Sequence, residues 1–207
     1  RTKAGIIRIR TSVILFGVVI GPAILHRWGK KKSARVSCLF ATGRAARGSR
    51  MSAILETPRL VLRPAQPSDA AFFLELMNEP AYHANIGDRG LRTLEDAAGY
   101  IAERYTASYE HLGYGLYLVE TKAEAVPIGI CGFVKRDVLE RADLGFAFLA
   151  RFCAQGSGYD SAAAVLEYGR ETLGFAEVFG VTCRAHRPSL RLLEQLGFSS
   201  PRALALS

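Results

Sequence analysis

The sequence predicts a mixed α/β (α+β) fold, in which one mostly antiparallel, twisted sheet carries helices on both faces. Three observations predict it. Apolar patterns alternate along the chain in the order β-α-α-β-β-β-α-β-α. Three of the strands follow one another with only polar connections, as in an antiparallel meander. A strand-like run from Leu144 to Leu149 opens through Cys153-Ala154-Gln155-Gly156-Ser157-Gly158 into an alanine-rich helix from Asp160 to Leu173. At 207 residues the chain is long enough for one well-buried domain and hardly for two of normal size.

Arg59 to Arg63 alternates between Pro58 and Pro64 and reads as a short strand. Ser68 can cap a helix whose apolar positions Phe72, Phe73, Leu76 and Met77 follow the helical period and stop near Pro80. Thr93, with Asp96 three residues on, starts a second helix carrying Ala97, Tyr100, Ile101 and Tyr105, and Gly113 ends it. Strands Tyr114 to Glu120 and Val126 to Val134 are joined by a polar turn, and Asp143 to Leu149 follows. The next helix buries Ala162, Val165, Leu166, Gly169 and Leu173 and closes at Gly174. Val178 to Cys183 is a further strand, and Ser189, Leu192, Leu193 and Leu196 form the inner face of a last helix ended by Gly197.

The loop at Cys153 to Gly158 is the main functional signal. A strand that turns straight into a helix points unpaired N–H groups and the positive end of the helix dipole at one place, which suits a phosphate. Glycines allow close approach of an anion and positive φ. A plain turn is the competing reading of Gly-x-Gly. A dinucleotide fingerprint fails because Ser161 stands at the third glycine position and Glu177 begins the next strand instead of ending it. No Gly-Lys-Ser/Thr is present for an NTPase loop.

The net charge of +8 is unevenly placed: residues 1–50 hold 12 of the 27 Lys and Arg and none of the 19 Asp and Glu. Residues 51–207 are therefore net acidic, and nucleic-acid binding by this domain loses its support. Residues 1–50 are expected to be a basic leader, disordered or no part of the native protein, with the domain at 51–207. Its apolar stretch Val13 to Leu25 is broken by Gly17, Gly21 and Pro22 and is short for a bilayer span. A signal peptide fits the order of segments but no small-x-small site follows Leu25; a transit peptide fits the lack of acids; the blander alternative is that Met51 is the true start and the first fifty residues are upstream sequence. A membrane tether through residues 13–25 is the remaining option, and membrane contact is not expected. Cys38, Cys131, Cys153 and Cys183 have no Cys-x-x-Cys and no His at ligand spacing, so no metal and no disulfide framework are expected. Reduced thiols point to the cytoplasm.

The chain resembles the GNAT superfamily of acetyl-CoA-dependent N-acetyltransferases, and within it the branch acting on ribosomal-protein N-termini. The resemblance runs from Thr57 to Phe198. It rests on Thr57-Pro-Arg-Leu-Val-Leu-Arg-Pro64, Ile128-Gly129 and Gly132-Phe133, Asp143-Leu-Gly-Phe146, Gln155-Gly-Ser-Gly158 and Ser189-Leu-Arg-Leu-Leu-Glu-Gln-Leu-Gly-Phe198. It implies transfer of an acetyl group from acetyl-CoA, as co-substrate, to a primary amine, such as a protein N-terminus, in a ternary complex. The acyl donor would lie in a V between the strands at Asp143 and Val178, with backbone of Phe146, Ala147 and Phe148 on the pantetheine arm. Amides of Cys153, Ala154, Gln155, Gly156, Ser157 and Gly158 would hold the pyrophosphate.

Several positions depart from the family. Cys153 replaces a larger residue; His186 stands where Asn opens the last helix and is the poorer cap; Leu193 occupies the place of a Tyr that protonates the leaving thiolate. Ser189 is the resemblance's candidate for the CoA sulfur, with bland capping the alternative. Asp143 is the candidate base, with a solvated carboxylate beside Arg141 the alternative, and the Phe148 N–H the candidate oxyanion donor. By the resemblance His186, at that Asn position, is a candidate cofactor contact, with a surface loop histidine the blander alternative, and Asp160 reads as a complement to the helix dipole. By the resemblance, in which the first two helices wall the acceptor site, Tyr82, His83, Asp88 and Tyr105 would border it, with packing or solvent-facing positions the alternative. Only Ser199 to Ser207 follow Phe198, where the family adds a last hairpin strand beside the V, so the end of the sheet is expected to be truncated. An inactive or CoA-binding-only protein is the rival that this truncation raises.

Overall fold

The structure, a computed structural model, describes residues 13–19 and 53–204. Its strands are β1 (Val13–Val19), β2 (Leu55–Glu56), β3 (Leu60–Arg63), β4 (Leu116–Thr121), β5 (Pro127–Val134), β6 (Asp143–Phe148), β7 (Glu177–Cys183) and β8 (Ser199–Leu204). They form one sheet in the order β2-β3-β4-β5-β6-β7-β1-β8. Every pairing is antiparallel except β6 with β7.

On one face lie α1 (Ala70–Asn78), α2 (Pro80–Asn85) and a long helix entered at α3 (Leu94–Tyr100). Phe72, Phe73, Leu76 and Met77 are buried, as the spacing predicts. Ser68 is not a cap: it falls inside a 3-10 turn, Pro67–Asp69, whose Asp69 carboxylate accepts the Gln66 N–H at 2.8 Å. Pro80 does not end the helical region but opens α2, where its missing N–H costs nothing. Thr93 and Asp96 make the reciprocal cap that the sequence predicts, at 3.0 and 2.9 Å. Beyond Tyr100 the helix widens into a π segment, Ile101–Thr106, before α4 (Ala107–Leu112) and its left-handed stop at Gly113. Phe73, Tyr82, Ile101, Tyr105, Leu118, Ile130 and Leu149 close this side of the sheet. Phe73 is fully buried, and its replacement by Ala would cost about 3–5 kcal/mol.

On the other face α5 (Ser157–Glu171) and α6 (Arg187–Gln195) cover Phe133, Leu144 and Val178 with Ala162, Val165, Leu166 and Leu193. A Cβ at Gly180 would stand 2.8 Å from Leu193 and 3.1 Å from Phe198, so α6 lies directly on β7 because residue 180 has no side chain. Among the described residues no helix is long and apolar enough to cross a membrane.

The last part of the sheet differs from the truncation that the sequence predicts. A strand does follow Phe198, β8, and its partner is β1, seven residues from the stretch read as a leader. β1 also pairs with β7 throughout, from Val13 opposite Cys183 to Val19 opposite Glu177. It therefore satisfies a β7 edge that would otherwise stand open. Residues 1–12 and 20–52, and with them Met51 and Cys38, lie outside the described residues.

A chain started at Met51 lacks β1 and leaves β7 and β8 without their common neighbour. Its melting temperature should fall by several degrees, at about 2–4 °C per kcal/mol for a protein of this size, against the full chain. Equal melting temperatures would show that β1 adds nothing to the sheet.

Candidate functional site

β6 and β7 pair only through Asp143 with Phe179 and Leu144 with Gly180. Past that point β6 stays with β5, up to Gly129 opposite Phe148, while β7 stays with β1, up to Val13 opposite Cys183. Two parallel strands pulled by different neighbours leave a cleft at their carboxyl ends. This is where sheets of this kind accept ligands.

The main chain that faces the cleft can be assigned. The Leu149 N–H donates to the Ile128 carbonyl at 3.0 Å, so Leu149 and, by alternation, Ala147 turn their peptide groups toward β5. The close approach of the Ala147 carbonyl to Gly129, 2.6 Å from where a Cβ would be, agrees. Phe146 and Phe148 turn theirs toward the cleft. The sequence expectation of three consecutive residues pairing with the donor is thus corrected for Ala147, whose backbone is already used by β5.

The loop leaves Leu149 through a 3-10 turn, Ala150–Phe152, in which the Cys153 N–H donates to the Ala150 carbonyl at 3.1 Å. That amide is committed, so Cys153 leaves the expected set of anion-binding amides. Ala154 and Gly156 take positive φ of 60° and 83°, and Gly156 is the N-cap of α5 with no side-chain cap bond. Among the described residues no acceptor holds the N–H groups of Ala154, Gln155, Gly156, Ser157 and Gly158, which gather around a helix start. A non-glycine residue at φ of 60° carries strain. Phe148 and Leu192 both reach the loop, at 3.7 and 3.4 Å from a Cβ position on Gly158.

Arg59, at the start of β3, holds this loop from behind. Its Nη1 donates to the Gln155 carbonyl at 3.0 Å and its Nε to Asp160 Oδ2 at 2.9 Å. The second contact matters electrostatically: a free carboxylate in the first turn of α5 would repel a bound anion, and the guanidinium cancels it. Sequence reasoning missed Arg59 because its partners lie 96 and 101 residues away. The only hint was an arginine with no role beside a proline. On the other side Glu79 accepts the Ala150 N–H at 3.0 and 3.1 Å, and Arg151 pairs with Glu75. The loop is thereby fastened to α1 and α2.

His186 and Ser189 meet, with Nδ1 and Oγ 2.7 Å apart. Ser189 is buried, and burial lowers the His186 pKa from its ordinary 6.5, so the imidazole is neutral at pH 7. His186 makes no side-chain cap for α6. Leu193 is buried against Gly180 and takes no part in acid–base chemistry.

Asp143 is not the solvated carboxylate beside Arg141. It is 1% exposed, its Oδ1 accepts from Arg136 Nε at 3.0 Å, and its Oδ2 has no partner among the described residues. Arg141 pairs instead with Glu177. Burial outweighs Arg136 and raises the Asp143 pKa above 3.8. Along β6 it lies three residues from Phe146 and five from Phe148, about 10 and 16 Å at strand rise. Asp143 and Ala147 share the face toward α1 and α2. The structure thus brings Phe148, the loop and α6 together and sets Asp143 at the closed end of the cleft.

Tyr82 and Tyr105 are buried in the helix-covered face beside Leu149. Asp88 is held by Arg92 and by the Gly90 N–H at 2.8 Å, and His83 Nε2 stands 3.7 Å from it.

The sequence model of the acetyltransferase (GNAT) domain matches residues 59–199. The chain is 25% identical over 157 residues to the uncharacterized N-acetyltransferase YoaA of Bacillus subtilis, covering 74% of this chain and 87% of that one. An acetyltransferase from Agrobacterium tumefaciens superposes with a TM-score of 0.61 at 22% identity, over 75% of this chain and 88% of that one. A ribosomal L7/L12 alpha-N-protein acetyltransferase in complex with coenzyme A superposes with a TM-score of 0.59 at 16% identity, over 68% and 80% of the two chains. At these identities the solved structures show the fold.

Arg59→Ala should free both the Gln155 carbonyl and the Asp160 carboxylate. Its dissociation constant for acetyl-CoA, by isothermal titration calorimetry, should rise about tenfold, equivalent to 1.4 kcal/mol. Arg59→Lys should recover part of this through the charge alone. An unchanged constant would show that the loop keeps its shape unaided.

Proposed function

Since the chain belongs to the GNAT acetyltransferase family, we propose that it transfers the acetyl group of acetyl-CoA to a primary amine bound at the same time, with a protein N-terminal α-amine as the favoured acceptor. The observation that carries this reading is the cleft between β6 and β7 with the five unengaged loop amides at its mouth. Those amides fit a diphosphate, and the peptide groups of Phe146 and Phe148 fit an extended arm laid along β6 as an added strand.

Such an arm runs from the loop back along Phe148 and Phe146 toward Gly145, which brings its far end toward Asp143. The amine nitrogen bonds to the acetyl carbon, the carbonyl oxygen takes negative charge, and the C–S bond then breaks. The Phe146 or Phe148 N–H meets that charge. The nitrogen gives up one proton and the departing sulfur takes one. Asp143 receives the first, through water given its distance along β6. Ser189 supplies the hydrogen bond to the sulfur: with His186 Nδ1–H donating to Ser189 Oγ, the hydroxyl hydrogen is free to point at it. An α-amine, with a pKa of about 7.7–8.0, is partly neutral near pH 7 and asks little of a base. The free thiols of Cys131, Cys153 and Cys183 support a cytoplasmic setting.

Turnover is tested by thiol release from acetyl-CoA with a panel of peptides and small amines. Transfer to α-amines supports the reading, and tight binding of acetyl-CoA without transfer to any amine supports the binding-only rival. Ser189→Ala should lower kcat about 10–100-fold while leaving the affinity for acetyl-CoA within about twofold. Equal loss of both would make Ser189 structural.

Asp143 must be ionised to accept a proton, so kcat/KM should rise with pH through a limb above the ordinary carboxylate value. Asp143→Asn should abolish that limb. Because its folded pKa is raised, Asp143 also costs stability as pH rises from 3.8 through the raised value, and the Asn variant should lose that fall in melting temperature. A limb unchanged in the variant would assign the proton to another group.

A further inference from the structure

The connection from β5 to β6 is rich in charge, and its side chains go different ways. Lys135 donates to the Leu139 carbonyl, Arg141 pairs with Glu177, and Asp137 and Glu140 are exposed. Arg136 turns back onto the sheet, where its Nε donates to Asp143 Oδ1 at 3.0 Å. Both ends of that contact stand on fastened backbone. The buried Leu139 sends its N–H to the Arg136 carbonyl at 3.0 Å, and the Phe179 N–H donates to the Ala142 carbonyl at 3.0 Å, one residue before Asp143.

The two oxygens of Asp143 are thereby made unlike. Oδ1 is shared with a guanidinium, while Oδ2 is buried and has no donor among the described residues. The strand residues opposite Asp143 are Val134 on β5 and Phe179 on β7, whose side chains offer no hydrogen bond. Tyr114, before β4, is the other titratable group that feels its charge; burial raises that phenol above its ordinary value, and it is neutral. A buried carboxylate oxygen without a donor is poorly stabilised as an anion and readily takes a proton. The cation beside Oδ1 opposes this and keeps the group ionisable.

We propose that Arg136 is a positioning residue for acetyl transfer: by holding Oδ1 it fixes the rotation of the Asp143 carboxyl and leaves Oδ2 as the oxygen that receives, through water, the proton lost by the acceptor nitrogen. This rests on the transfer reading and on Asp143 as its base, but the grip of Arg136 on the carboxyl has a readout of its own. In the full chain, kcat/KM for the best amine of the panel is followed against pH. In parallel the Asp143 carboxyl is titrated by its 13Cγ resonance in aspartate-labelled protein, identified as the peak that Asp143→Asn removes, which needs no turnover.

The side chain of Arg136 is 39% exposed, so solvent holds its effect to the low end of the roughly 1–3 pH units that a neighbouring arginine exerts on an aspartate. Loss of the cation disfavours the carboxylate. Arg136→Gln should therefore move both the acid limb of kcat/KM and the carboxyl titration up by about one pH unit, which is about tenfold in kcat/KM below the limb. Arg136→Lys should keep the titration near its native place but lower kcat severalfold, because an ammonium lacks the fixed Nε donor. Arg136→Gln added to Asp143→Asn, where no buried charge is left unpaired and the fold is kept, should slow turnover no further than Asp143→Asn alone. A titration that stays in place in Arg136→Gln, or a further loss in the double variant, would overturn the inference. A carboxyl that shifts as expected in a protein that transfers no acetyl group would refute the transfer reading and leave the grip on Asp143 standing, and transfer with a limb that ignores Arg136→Gln would do the reverse.

Discussion

The parting of β6 from β7 after Leu144 and Gly180 is the constraint from which the rest follows. A parallel pair kept together to its end would satisfy its own peptide groups and leave nothing for a ligand. Here each strand is held elsewhere, β6 by β5 and β7 by β1, so two ladders of six and seven residue pairs draw apart strands that share only two. The free groups of Phe146 and Phe148 then face an opening, with the loop from Ala154 to Gly158 at its rim. Gly180 contributes by letting α6 settle on β7, through Leu193, at the point where the strands separate.

The loop is a local conformation maintained from a distance. Positive φ at Ala154 and Gly156 gathers the amides, and nothing within the loop's six residues closes them off. Arg59 from β3 and Glu79 from the start of α2 hold its two ends by charge-assisted bonds to backbone. Exposed ion pairs on their own contribute little to stability. Their effect here is geometric, since each fixes one peptide group, and Arg59 also removes the negative charge of Asp160 from the neighbourhood of an anion.

Much of this was legible in the residues. Period-2 runs located β3 to β7 to within a few residues, and the Thr93–Asp96 spacing marked a helix start that the structure forms by both bonds. The Gly-x-Gly between strand and helix marked the loop. Other features were hidden because they depend on contacts far apart in sequence. Arg59 reaches Gln155 across the domain, and Asp143 turns out buried because β6 lies inside the sheet, whereas its neighbour Arg141 suggested a solvated edge. The commitment of the Ala147 and Cys153 backbone could not be read from residue types, since any residue offers the same peptide group. β1 was missed for the opposite reason: an apolar run broken by glycines in a basic stretch satisfies a leader and a strand equally, and only the open slot beside β7 distinguishes them.

The most direct measurement is the amide spectrum of the 15N-labelled protein as coenzyme A is added. Shifts should concentrate on Ala154 to Gly158 and on Phe146 and Phe148, with Ala147 and Cys153 moving less because their N–H groups are already engaged. A spectrum in which those loop amides stay still while coenzyme A binds elsewhere, or in which it does not bind, would contradict the placement of the donor in this cleft.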